Sequence, residues 1–159
     1  MSDTPMLFST QQDSRDIEEQ VVDNENKAQF LIFNSDGLLF GANVEYVVEI
    51  ITNHAITHLP MVPGYIRGIL NLRGQIIPVI DIRLRLGKPY LEECITIVLN
   101  VNGTQVGILV DSVAQMISVP KEDIMPVPAH STQKLISGLY SLQDGSTMMV
   151  FDCVLLMEH

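Results

Sequence analysis

Pro63-Gly64-Tyr65-Ile66-Arg67-Gly68-Ile69-Leu70-Asn71-Leu72-Arg73-Gly74-Gln75-Ile76-Ile77-Pro78-Val79-Ile80-Asp81 is the stretch around which the rest of the chain is organised. Pro63-Gly64 breaks the chain ahead of it. Ile69, Leu70 and Leu72 read as a short apolar strand and Ile76 to Ile80 as its return. Gly74-Gln75 reads as the turn between them, because glycine takes positive φ at no steric cost. Period-two alternation sets Asn71 and Arg73 on one face and Leu70 and Leu72 on the other. Pro78 cannot donate to a ladder, so it marks an edge or a bulge. Asp81 reads as the cap of a short helix through Ile82, Leu84 and Leu86, ended by Gly87 and Pro89. Arg73 is the odd residue in this apolar hairpin. A guanidinium keeps its charge, so it must face water or meet a carboxylate.

Outward from this hairpin, strand patterns continue in both directions. Phe30 and Ile32 lead to Asn34-Ser35-Asp36-Gly37, with the turn at Gly37, and Leu38 to Ala42 returns. Val44 to Ile51 reads as one helical turn and then a third strand reaching Thr57. Cys94 to Val101 is a strand with its turn at Asn102-Gly103, and Thr104 to Val110 returns from it. A shift of 66 lays Gly37 on Gly103, Gly41 on Gly107, Val47 on Val113 and Ile51 on Ile117. With a few inserted residues Gly68 falls on Gly138 and Asp81 on Asp152, so Asp152 reads as a second helix cap. Two copies of about five strands imply two small barrels, the first near residues 27–90 and the second near 91–159, with strand or helix exchange at the seam allowed for. A ~60-residue unit buries only about 60% of its unfolded surface, so the copies are expected to share an apolar seam. Closing each sheet also removes exposed edges.

Composition agrees with one such body. The chain has 159 residues, 47% hydrophobic and 18% charged, with no Trp and eight Met, so the interior is aliphatic. The formal net charge of −10 argues against nucleic acid, which needs clustered Lys and Arg. Six units of that negative charge fall before Lys27, and residues 1–26 read as a flexible acidic tail. Neither a signal peptide nor an apolar run of membrane-spanning length is read. Cys94 and Cys153 lack metal-type spacing and read as reduced, packed thiols of a cytoplasmic protein.

Catalytic chemistry needs converging titratable groups, and the pattern does not supply them. His54 and His58 lie on one face of a strand but have no third ligand at suitable spacing, so surface histidines are the reading and no metal or other cofactor is expected. No nucleophile elbow, P-loop or dinucleotide fingerprint occurs. Glu49 is the most economical partner for Arg73, with two independent surface charges as the alternative.

The same residues resemble a known family, the chemotaxis coupling (CheW) proteins. Ile66-Arg67-Gly68-Ile69, Asn71-Leu72-Arg73-Gly74 and Pro78-Val79-Ile80-Asp81-Ile82-Arg83 follow that family's signature, with further likeness at Phe30 to Phe33, Val47 to Ile50, Val98 to Asn100 and Val106 to Val113. The resemblance implies two five-stranded SH3-like β-barrels with short helices, and a non-enzymatic adaptor linking transmembrane chemoreceptors to a histidine kinase. It implies as partners the receptor's cytoplasmic tip, a helical hairpin docking in an apolar groove, and the kinase's regulatory domain, in arrays peripheral to the inner membrane. Val47, Glu49, Gly68, Arg73, Gly107 and Val113 fall on positions that the family uses for partner contacts. Met116 stands where many relatives carry valine, and methionine can fill the same irregular space. A scaffold of another pathway, such as twitching or developmental signalling, and a small-molecule module using the seam are the alternatives.

Overall fold

The computed structural model describes residues 26–52, 55–89, 91–92, 94–127 and 135–157. The acidic N-terminal stretch, His54, His130 and His159 lie outside them. Strands β1 (Lys27–Ser35) and β2 (Leu38–Asn43) form a hairpin, and one 3-10 turn, Val44–Tyr46, leads to β3 (Val47–Thr52). β4 (Ile66–Leu72) and β5 (Gln75–Asp81) form the central hairpin, followed by the single turn α1 (Ile82–Arg85). The second copy runs β6 (Ile95–Val101), β7 (Thr104–Val110), β8 (Ser112–Pro120), the two-residue β9 (Met125–Pro126), β10 (Ile136–Ser141), β11 (Thr147–Phe151) and α2 (Cys153–Leu156).

These strands make two sheets, ordered β8-β1-β2-β11-β10-β9 and β3-β6-β7-β5-β4. Each sheet joins the first hairpin of one copy to the remaining strands of the other, β8 to β11 in the six-stranded sheet and β3 to β5 in the five-stranded one. A parallel ladder makes each junction: β2 with β11, and β5 with β7. The expected division at residue 90 is therefore corrected, because it does not separate the sheets. The exchange allowed for at the seam extends to whole strands in both directions. It follows from length: once the parallel pairs form, each copy's hairpin completes the other copy's sheet, and neither sheet closes without both.

The repeat survives in detail. Both outer hairpins carry a bulge at the same place, between Ile66 and Gly68 and between Ile136 and Gly138. Asp81 donates its N–H to the Tyr65 carbonyl at 2.8 Å, and Asp152 donates its own to Leu135 at 2.7 Å. Each carboxylate then caps a helix: Asp81 accepts from Arg83 and Leu84 N–H, and Asp152 from Leu155 N–H. Pro78 sits where β5 has one free side, since the β5–β7 ladder runs only over Val79–Asp81.

Period-two alternation sorts the apolar residues into three clusters. Phe30, Ile32, Val119, Met148 and Val150 fill one barrel. Leu70, Ile77, Val79, Val98 and Leu109 fill the other. The opposite faces of the same strands, among them Leu31, Phe33, Phe40, Ile97, Leu99, Val106 and Ile108, join in a larger cluster between the sheets. Phe33 stacks on Phe40 at 5.3 Å between ring centres, and Phe151 meets Phe33 edge-on at 5.8 Å. The aliphatic seam expected from composition is this cluster.

Candidate functional site

The central hairpin turns on Arg73-Gly74, one residue earlier than the alternation suggested, with Leu72 paired to Gln75. Arg73 (φ 52°) and Gly74 (φ 85°) are both left-handed, the two-residue turn that matches strand twist. Arg73 thus stands at the tip and not on a strand face. Its Nη2 donates to Glu49 Oε1 at 2.6 Å, so the sequence's most economical pairing is present. Glu49 lies on β3 and Arg73 at the end of β4, the two outer strands of the five-strand order. They meet because the sheet curls round on itself. Arg73 is 73% exposed, so the pair contributes on the order of 0–1 kcal/mol and chiefly orients the guanidinium.

The other expected contact residues divide into two groups. Val47 and Val113, equivalent under the repeat, begin edge strands of different sheets and both pack half-buried against the seam cluster. Met116 is exposed on β8, opposite Leu31. Val48 and Ile50 on β3 and Ile76 just past the turn are exposed too. Gly68 and Gly107, in contrast, are buried. A Cβ on Gly68 would lie 2.0 Å from the Thr57 carbonyl oxygen, and one on Gly107 3.0 Å from Thr96 Cγ2. Gly68 lets the residue 57 segment bond to Ile69 on the outer edge of β4, and Gly107 leaves room for Thr96 and Val79 within the barrel. Gly37 and Gly103 occupy left-handed turn positions, as Gly74 does.

Two ionic groupings were not foreseen. Arg83 on α1 grips Asp111 with two bonds, Nε–Oδ1 at 2.8 Å and Nη2–Oδ2 at 2.7 Å, and reaches Asp36 at 3.3 Å. Asp111 also accepts from the Asp36 N–H at 2.9 Å. The Arg83 bonds hold the Asp111 carboxyl below the ordinary carboxylate range. Arg67 meets the buried Asp81 at 3.0 Å. Arg83 and Asp111 lie 28 residues apart, and without strand pairing nothing in the spacing connects them. Burial pushes the Cys153 thiol up to about 12, which removes it as a nucleophile. Among the described residues no three His, Cys, Asp or Glu side chains cluster as a metal site. No helix among them is long and apolar enough to cross a membrane.

Residues 29–159 match the CheW-like domain family. The chain belongs to that family. It is 34% identical over 128 residues to the chemotaxis protein CheW of Klebsiella aerogenes, an alignment covering 77% of each chain. It is 30% identical over 103 residues to protein FrzA of Myxococcus xanthus, covering 63% of this chain and 64% of that one. The crystal structure of the scaffolding protein TtCheW from Thermoanaerobacter tengcongensis aligns with a TM-score of 0.76 at 28% identity, covering 83% of this chain and 93% of that one. The mainly-β architecture of two SH3-like barrels is therefore that of the CheW-like fold, and the chain is a chemotaxis coupling scaffold of this kind. In CheW-like terms the central hairpin carries the Asn-Leu-Arg-Gly turn, and the seam cluster joins the two barrels.

Proposed function

We propose that the protein is a non-enzymatic cytoplasmic adaptor that couples the cytoplasmic tips of chemoreceptors to the regulatory domain of a histidine kinase. The observation that carries this reading is the Arg73–Glu49 pair, held at 2.6 Å at the tip of the central hairpin, in a sheet that also exposes Val48, Ile50 and Ile76. A charged group fixed in direction on a sheet that also exposes apolar side chains suits recognition of another protein. Val47 and Val113 each leave a half-buried apolar side chain on an edge strand beside the seam, the kind of surface on which a helical hairpin docks. Gly68 and Gly107 act on docking indirectly, through the strand spacing they permit. The titratable groups brought together are opposite charges locked in pairs, an arrangement for holding shape. Control of the kinase then needs only differential contact with its two states, on the order of 1–3 kcal/mol.

Arg73→Asp is the test. We expect it to weaken association with a receptor-tip fragment or the kinase regulatory domain while leaving the far-UV spectrum and melting midpoint near wild type. Normal binding of both probes would remove the site assignment. Likeness to FrzA, whose name carries no chemotaxis term, supports a second reading, the same scaffold serving another signalling pathway. A pull-down recovering a receptor with a ligand-sensing domain favours the first reading, and recovery of a different class of input protein favours the second.

A further inference from the structure

Three hairpins share one local signature, Asn-x-x-Gly: Asn34 to Gly37, Asn71 to Gly74 and Asn100 to Gly103. In each, the glycine N–H donates to the asparagine Oδ1, at 3.1, 3.1 and 3.0 Å respectively. In each, the residue before the glycine is left-handed, with φ of 54° at Asp36, 52° at Arg73 and 53° at Asn102. Asp and Asn tolerate that region because their short polar side chains bond locally. An arginine has no such compensation. The strained residue of the three is thus the one whose side chain reaches across to Glu49.

We propose that Asn71 is a positioning residue for docking. Its carboxamide clamps the turn by accepting the Gly74 N–H, which holds Arg73 left-handed and so fixes the direction in which the guanidinium leaves the barrel. Without the clamp Arg73 relaxes toward the right-handed or extended regions, and its side chain swings away from the direction the partner meets. This inference rests on the docking role of Arg73 proposed above.

The experiment is calorimetric titration of the full chain against two probes, a purified chemotaxis-kinase regulatory domain and a receptor-tip fragment. The variants are Asn71→Ala, Asn71→Asp, Asn100→Ala and Arg73→Glu. Asn71→Ala is expected to weaken, by roughly fivefold, the probe that Arg73→Glu weakens, the scale of one lost hydrogen bond. Asn71→Asp keeps the acceptor oxygen and restores affinity. Asn100→Ala removes the same clamp from a hairpin without an arginine, so it lowers the melting midpoint as Asn71→Ala does but binds as wild type. Wild-type binding by Asn71→Ala, with loss in Arg73→Glu, overturns the positioning role and leaves the docking site standing. Equal weakening by Asn100→Ala overturns it as well, since the effect is then general loosening. If Arg73→Glu binds both probes normally, the docking site fails and the role of Asn71 with it.

Discussion

A left-handed arginine is an expensive way to end a hairpin, and Arg73 occupies that position at φ 52°. Relieving the strain returns on the order of 1 kcal/mol, while losing the exposed Glu49 pair costs on the order of 0–1 kcal/mol. Arg73→Asn should therefore leave the urea midpoint unchanged or slightly raised while weakening docking; a loss above about 1 kcal/mol would show that the arginine serves the fold. The buried glycines grade differently. Gly68→Ala drives a Cβ into the Thr57 carbonyl, backbone that cannot turn aside, and should cost about 2–3 kcal/mol. Gly41→Ala meets the flexible sulfur end of Met148 at 2.5 Å, with Phe30 Cβ beyond it at 3.2 Å, and should cost less. Urea melts that reverse this order would contradict the packing. The lone charge and the glycine turn were both readable from sequence. The turn's register was not, since Arg73-Gly74 and Gly74-Gln75 each contain the required glycine. The parallel with Asn102-Gly103, where the same Asn-x-x-Gly pattern ends a hairpin, was the signal that would have corrected it.

Between elements, the Arg83–Asp111–Asp36 group ties α1 to the β7–β8 junction and to the first hairpin's turn. The copies differ here, for shifts of 66 and 71 place Asn102, Glu45 and Val154 at the equivalent positions. Because the Arg83 bonds lower the Asp111 pKa on folding, the native state binds this proton less tightly than the unfolded chain. The resulting stability is complete above the ordinary carboxylate pKa of about 3.9 and drains away as pH falls through the lower native value. Asp111→Asn should cost about 2 kcal/mol at pH 7, and its deficit relative to wild type should shrink below about pH 4. A deficit constant across that range, measured by urea unfolding, would mean that shape and not charge matters at residue 111. Strands, turns and caps were legible because each is local. The Arg83–Asp111–Asp36 contacts were not, because they depend on which strands become neighbours.

For the molecule as a whole, the decisive feature is reciprocal exchange, each sheet built from both copies of the repeat. Fragments 27–90 and 91–157 should each be unfolded alone, showing little amide dispersion, and should recover the native spectrum when mixed. A dispersed spectrum from fragment 27–90 alone would contradict the exchange. The repeat itself was plain from Gly37/Gly103, Gly41/Gly107 and Val47/Val113. Whether each copy closes on itself or on its twin was not, because both arrangements satisfy the same alternation and the same turns. The choice rests on the parallel ladders Val79–Asp81 with Gly107–Leu109 and Met148–Val150 with Leu39–Gly41, and no residue pattern marks them.

The proposed function makes this exchanged body a rigid connector with separate docking faces. Its most direct test is sedimentation of the full chain with a receptor-tip fragment and a kinase regulatory domain together. Both should travel with the chain in one ternary complex, each bound with an affinity that the other does not abolish. Mutual exclusion, with either probe displacing the other, would contradict the account.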